Sequence, residues 1–538
     1  MSFDPSIMGA VAAGHPDTAE AAAEILREGG NAIDAAIAAV LASAISEPPL
    51  TGLGGGGIAT IRTAEGKTTS VDFFVTTPGK GLELNEEVRT RGFKRIDVDF
   101  GGRIQTFHVG GGTVTVPGVP AGMEYLSKHY GTLPMSRLIE PARKLAVEGS
   151  KVSPALNQMF HILRDIVCGS DMGKKTFSNE GKVLPAGSVY TIPGAANFLD
   201  DFAKYGSESF YKGDIAQSMV RAVRDAGGYL TAEDLSSYEV IERAPEEARF
   251  GAVKLIMPPA PSLGGPLIAF GLQLVADEAN ELKQLNYRTL LRLSAAMAIS
   301  DAYRQDEMDP QLLTEYRSLS HREEDVVAKY KRRYAEALQD PKRLAKTVRS
   351  NALGNTTHTS ITSRDGSVCS VTTTNGEGST VWLEELGIHI NNMLGEEDLH
   401  PGAFHQYSSG VRLPSMMTPT IAMTPDGRTL ALGTGGSNRI RSAILQVVLH
   451  YLARGLSLKE AIEFPRIHLE QGVLDVEPGF KPTEIDKLEE VGLNIQRWNQ
   501  TNLYFGGVHG VGFNSEGLLS AVGDPRRGGV GLVVKSTR

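Results

Sequence analysis

Cysteine is nearly missing from this chain: Cys168 and Cys369 are the only two in 538 residues. Two thiols so far apart make no disulfide framework, which excludes a small stapled scaffold and favours a reducing compartment. Long apolar runs are missing too. The most apolar stretch, Ala35 to Ile45, is too short to span a bilayer and is closed by Glu47-Pro48-Pro49. The opening residues M-S-F-D-P-S-I-M-G-A-V carry neither a basic n-region nor an adequate apolar h-region, so the expected location is the cytoplasm. Positive charge is not in excess. With 63 acidic against 54 basic residues and a net charge of −9, nucleic acid is disfavoured as the main partner.

Several chemistries are excluded in the same way. There is no H-E-x-x-H and no C-x-x-C, and His400 and His405 are separated by Pro401-Gly402, so neither a metal nor a cofactor is expected. No G-x-S-x-G elbow appears, which argues against an α/β-hydrolase. Leu53-Gly54-Gly55-Gly56-Gly57 lacks the following Lys-Ser/Thr of a phosphate loop and precedes a strand, so close packing against another backbone is expected instead.

What is present is an ordinary globular composition, 41% hydrophobic and 22% charged, with 60 glycines. Asp17 to Arg27 and Asn31 to Ser46 read as helices, stopped by Gly29-Gly30 and Pro48, and Ile58 to Arg62 reads as a strand. From about Pro134 to Lys346 the pattern is mainly helical, with segments at Ser136 to Glu148, Asp214 to Ala226, Tyr287 to Tyr303 and Glu324 to Ala337. The last is charge-rich and reads as a solvated face. After Thr356 strands dominate. Hairpins are signalled at Arg364-Asp365-Gly366, Pro425-Asp426-Gly427 and Ser515-Glu516-Gly517, and Ile440 to Leu452 is an apolar helix ending at Gly455. No internal repeat or low-complexity tract occurs. Pattern alone stops at α/β or α+β with more than one layer.

One segment carries chemistry. In N-A-L-G-N-T-T-H-T-S-I-T a polar, glycine-containing link (Asn351 to Asn355) opens into a β-branched run from Thr356 to Thr362. A threonine hydroxyl is a poor nucleophile until a base sits beside it, and its own α-amine, with a pKa of about 8, can be that base. That amine exists only after a cut between Asn355 and Thr356. The competing reading is an ordinary surface turn.

The surroundings favour the chemical reading. T-T-H-T-S-I-T-S-R-D-G-S-V-C-S-V-T-T-T and G-T-G-G-S-N-R-I resemble the γ-glutamyltranspeptidase family of N-terminal-nucleophile hydrolases, as do Gly14 to Ala39, Leu53 to Gly57, Pro117 to Gly122, Phe210 to Ala216, Pro261 to Gly265 and G-D-P-R-R (Gly523 to Arg527). The resemblance implies an α+β fold, a four-layer αββα sandwich. It implies a self-processing amidohydrolase or acyltransferase acting on a γ-glutamyl or related acyl amide through a Thr356 acyl-enzyme. Residues 1–355 and 356–538 would be the two segments of a precursor forming one intertwined domain, a heterodimer of its own fragments, with a higher oligomer left open. The expected partner is a small-molecule amide or peptide, with neither nucleic acid nor membrane.

By the same resemblance, Thr374 hydrogen-bonds the nucleophile, and Gly435-Gly436, between a strand and a helix beginning near Ser437, offer N–H groups to an oxyanion. A tight strand-to-helix turn needs glycine on steric grounds as well. The family's carboxylate-binding arginine, in a segment resembling D-F-R-E-T-A-P, is here Phe74 in D-F-F-V-T-T-P, and its paired serines are Ser415-Met416. In Asn391 to Asp398 the glutamine position holds Met393, and Glu396 or Glu397 would replace the amine-binding aspartate. Asn375 stands near the family's amine-binding asparagine only across a small gap. Altered acyl specificity follows, with Arg412 and Arg439 as candidate replacement cations. The short stretch from Asn392 to Arg412 leads one to expect a reduced lid and an open cleft. An unprocessed metabolite-binding protein is the alternative, and a nucleotide-binding enzyme using the glycine loop ranks below both.

Overall fold

Two antiparallel sheets stacked face to face form the centre of the computed structural model, which describes all residues except 1–3, 5, 100–103, 279, 313–321, 347–354, 401–402, 426–427, 514–517 and 537–538. The first sheet has the strand order Ile241–Arg243, Thr68–Phe73, Gly56–Arg62, Val368–Thr374, Thr357–Ser363, Ile7–Ala13, Val530–Lys535. The second runs Glu246–Phe250, Val253–Met257, Thr420–Met423, Thr429–Gly433, His509–Phe513, Leu519–Val522. Helices Pro16–Arg27 and Ala32–Ser46 cover the outer face of the first sheet, and helices Gly264–Val275 and Arg439–Leu452 cover the second, with helix Tyr287–Tyr303 packed on Gly264–Val275. This is the four-layer αββα sandwich that the resemblance implied.

The helices form where the sequence places their caps. Asn31 Oδ1 accepts the N–H groups of Ile33 and Asp34, while Asp34 returns a bond to the Asn31 N–H at 3.0 Å. Such a reciprocal box satisfies orphan donors at the helix start. Helix Ala32–Ser46 is buried on every side, which its alanine-rich, mostly apolar sequence allows. Helix Glu324–Gln339 buries only Tyr330, Tyr334 and Ala337, so its charges lie on the solvated side. At Arg364-Asp365-Gly366 the hairpin turns with Gly366 at φ +86°, and Asp365 Oδ1 accepts the Ser367 N–H at 2.8 Å. The glycine run is close-packed, as expected. A side chain on Gly54 would meet the His389 carbonyl at 2.3 Å, and one on Gly55 the Thr374 carbonyl at 2.2 Å.

Between Pro134 and Lys346 the structure is mainly helical, as expected, with short strands among the helices. Ile241–Arg243 and Glu246–Phe250 are edge strands of the two central sheets, and Val253–Met257 pairs with the second of them. The turn residues Asp426-Gly427 and Ser515-Glu516-Gly517, with most of the link at 351–354, lie outside the described residues.

The layer between the sheets is thin and partly polar. Ala10, Ala12, Ile256, Val368, Ile421, Ala431 and Val511 supply its apolar part. Within it His358, 1% exposed, bonds Thr372 Oγ1 and Ser360 Oγ, each at 2.8 Å. Burial holds its imidazole well below the usual histidine range, so it stays neutral. Gly433 faces this ring across the layer, where an added Cβ would lie 2.4 Å from it. Gly433→Ala is therefore expected to cost about 1–3 kcal/mol by overpacking, read as a lower urea midpoint; an unchanged midpoint would show that the layer can expand.

Candidate active site

Strand pairing delivers the candidate nucleophile to its partner. Thr357 stands opposite Thr373 and Thr374 opposite Gly56, so Thr356, just before the first strand, meets Thr374 at the end of its neighbour. Thr357 is fixed from the other side by Glu47, which ends helix Ala32–Ser46 and takes the Thr357 hydroxyl at 2.6 Å. Asn355 and Thr356 are 2% and 6% exposed, so the bond between them is inside the protein.

Thr374 Oγ1 donates to the carbonyl oxygen of Asn355 at 2.5 Å, and itself accepts the Gly376 N–H at 3.0 Å. The sequence places this hydroxyl on the nucleophile. With the peptide intact it lies instead on the carbonyl that Thr356 would attack, because that oxygen fills the space at the strand end. Asn355 N–H donates to Glu377 Oε1 at 3.2 Å, and Arg527 Nη1 donates to the Thr356 carbonyl at 3.3 Å.

A small cavity opens beside Thr356, lined by Thr374, Phe74, Ser415 and Met416, by Glu396 and Asp398, and by Met393, Leu399, Met417, Ser437 and Ile440. Four of the five substrate residues read from the sequence, Phe74, Glu396, Ser415 and Met416, therefore converge on it. Asn375 does not. Its amide turns to the His389 carbonyl at 3.2 Å, beneath Gly52 and Gly55. Gly435 touches Thr356 through its bare Cα: a Cβ there would stand 2.0 Å from the Thr356 carbonyl. Gly436 follows at φ +123°, and the helix runs from Arg439, close to the expected start.

One expectation fails here. Arg412 and Arg439 do not bring a cation into the cavity lining. Arg412 is drawn to Asp72 at 3.6 Å, to the Phe74 carbonyl and to Tyr238 OH at 2.8 Å, while Arg439 stacks its guanidinium on the Tyr504 ring at 5.0 Å. Their charges are already engaged elsewhere. Thr356 itself is buried, with Met393, Leu399, Met416 and Met417 among the residues that line the space beside it.

Electrostatically the cavity is one-sided. Among the described residues lining it there are two carboxyls, Glu396 and Asp398, and no cation. Burial raises both, Glu396 well above the usual carboxylate range, with Glu377 and Asp398 adding to the rise. Glu396 is 8% exposed and its Oε1 has no hydrogen-bond partner. Asp398 is held by the Ser437 hydroxyl. Sequence reading missed Glu377 altogether and used Arg527 only as part of G-D-P-R-R. That motif proves to be a buried ion cluster: Asp524 accepts Arg466 Nη2 at 2.6 Å and Arg526 Nη1 at 3.2 Å, which leaves Arg527 to reach Thr356.

Comparison with known proteins agrees with this arrangement. Residues 18–534 match the model of the family described as Gamma-glutamyltranspeptidase. The chain is 29% identical over 552 residues to a glutathione hydrolase proenzyme of Escherichia coli (strain K12), covering 96% of this chain and 90% of that protein. It is 29% identical over 543 residues to an acylase ACY 1 proenzyme of Pseudomonas sp. (strain V22), covering 98% and 93%. In fold it is similar to the crystal structure of a cephalosporin acylase from Bacillus halodurans, with a TM-score of 0.81, 24% identity and 99% of each chain covered. The chain belongs to the gamma-glutamyltranspeptidase family and is an enzyme of the N-terminal-nucleophile hydrolase type.

Proposed function

We propose that this chain cuts itself between Asn355 and Thr356 and then uses Thr356 as the nucleophile of an amidohydrolase or acyltransferase. The hydrogen bond from Thr374 to the Asn355 carbonyl carries this reading, because it polarises the one carbonyl that must react first. After the cut, the Thr356 amine takes the hydroxyl proton as Oγ attacks a substrate amide carbonyl. The same ammonium then protonates the departing amine, leaving an acyl-enzyme for water or a second amine to resolve. Thr374 and the Gly435-Gly436 turn are the groups beside Thr356 suited to meet the oxyanion. An unprocessed binding protein is not supported: its relatives are named proenzymes, and a pure binder has no use for a buried, polarised peptide at Thr356.

The acyl group follows from the lining. A free carboxylate beside Phe74, with no cation in the cavity, loses several kcal/mol, on the order of its unpaired burial. An amine is favoured, since Glu396 Oε1 lacks a donor. The substrate class is therefore an acyl amide that carries an amino or other donor group and no α-carboxylate. Cys168 and Cys369, both free, support a reducing, cytoplasmic setting, and no helix among the described residues is long and apolar enough to cross a membrane.

Purified protein is expected to run as fragments 1–355 and 356–538, with Thr as the first residue of the smaller one on N-terminal sequencing. Thr356→Ala should stay one chain without activity; active wild type with residues 355 and 356 still joined would falsify the mechanism. Three anilides separate the acyl preferences. The 4-aminobutyryl compound should exceed the γ-glutamyl one, which differs only by the α-carboxylate, by at least about tenfold in kcat/KM, a difference of about 1.4 kcal/mol. Glutaryl anilide, with a carboxylate and no amine, should be slowest. A γ-glutamyl rate equal to or above the aminobutyryl rate would remove the specificity argument.

A further inference from the structure

The backbone on either side of the bond between Asn355 and Thr356 is held at three points, one of them the carbonyl of that bond itself. Glu377 takes the Asn355 N–H, Thr374 holds the Asn355 carbonyl, and Arg527 holds the Thr356 carbonyl. Glu377 stands apart from the other groups around Thr356, because it does not line the substrate cavity. It is 1% exposed and is itself held firmly. Its Oε2 accepts Asn392 Nδ2 at 3.2 Å, while Asn392 Oδ1 takes the Glu377 N–H at 2.9 Å and the Gly378 N–H at 3.1 Å. Asn392 is anchored in turn, donating to the His108 carbonyl at 3.1 Å. Burying a carboxyl is costly, and this one bonds a single backbone N–H beside the reactive bond.

We propose that Glu377 is a positioning residue for self-cleavage: clamped by Asn392, it fixes the Asn355 N–H and so keeps the Asn355 carbonyl carbon before the Thr356 hydroxyl. This rests on the reading that Thr356 makes the cut. In that step the Thr356 Oγ–carbon bond forms and the carbonyl oxygen becomes an oxyanion under the Thr374 donor. The carbon–nitrogen bond then breaks, and the hydroxyl proton ends on the Thr356 nitrogen. Water next splits the ester, giving its OH to the Asn355 carbon and its proton to the Thr356 oxygen. Glu377 exchanges no proton. With the N–H and the carbonyl of one residue both held, rotation about the bond joining its Cα to the carbonyl carbon is stopped, and the reacting atoms stay in line. Cleavage then frees Asn355 from both groups, so the clamp serves the precursor.

The test follows the appearance of the Thr356 N-terminus in freshly made full-length chain. Glu377→Ala is expected to slow it about 10²-fold. Glu377→Gln, whose amide oxygen still accepts the Asn355 N–H, should fall between alanine and wild type. Melting temperatures taken in the uncleavable Thr356→Ala background separate a cost to the fold, expected for alanine, from slowed cutting; glutamine, of nearly the same volume, should melt close to its parent. Alanine cutting at the wild-type rate, or alanine and glutamine slowed equally, overturns the proposal. Should the alanine chain fail to fold, glutamine decides alone: slower cutting at an unchanged melting temperature supports it, and unchanged cutting overturns it. A wild type that never cuts defeats the Thr356 reading instead, and is told apart by that result.

Discussion

A single hydrogen bond, from the Thr374 hydroxyl to the Asn355 carbonyl, joins the fold of this protein to its chemistry. It exists because Thr357–Ser363 and Val368–Thr374 pair in one register, with Thr357 opposite Thr373. A slip by one residue would turn Thr374 to the other face and leave the carbonyl unheld. Much around the hairpin protects that register. The Asp365 turn fixes one end, Glu47 holds Thr357 near the other, and His358 is locked to both strands in the thin layer between the sheets.

The elements most legible in the sequence are those whose signals are local. Alanine-rich periodicity and an Asn-x-x-Asp cap suffice for helix Ala32–Ser46, and an Asp-Gly turn between β-branched runs suffices for the hairpin. Glu246–Phe250 was illegible for a physical reason. It is an edge strand whose alternate residues, Glu247 and Arg249, face solvent, and its charge disguises it among helices. At the site, Phe74, Glu396, Ser415 and Met416 lie in three distant segments, and only a family likeness could gather them. Asn375 was misplaced because the chain turns at Gly376, φ +61°, and carries its amide away from the cavity. Arg412 and Arg439 looked free in the sequence; Asp72 and the Tyr504 ring, which engage them, are visible only in three dimensions.

Acidic groups in the lining give the site its character, with Arg304 and Arg439 acting on Asp398 from outside that lining. Glu377 is pushed up to about 8 by burial, and Glu396 is held well above the usual carboxylate range by burial and by its acidic neighbours. Carboxyls so placed stay largely protonated until a donor or cation arrives to repay their ionisation. A ligand with an amine would bring its own counter-charge into a dry space, whereas an anion would meet two acids and the ring of Phe74. Among the described residues the lining thus offers acid and no cation of its own.

Strand Thr357–Ser363 lies inside its sheet, with Val368–Thr374 on one flank and Ile7–Ala13 on the other. Both sheets also draw strands from before and after residue 355. A chain opened at that point gains a new end in the middle of a hydrogen-bonded ladder, where dilution cannot peel it away. Heat can still melt such an assembly, but the return journey has changed: what was once a unimolecular collapse becomes an encounter between two separate strangers. Cutting would make the enzyme active and, by the same act, make its unfolding hard to reverse.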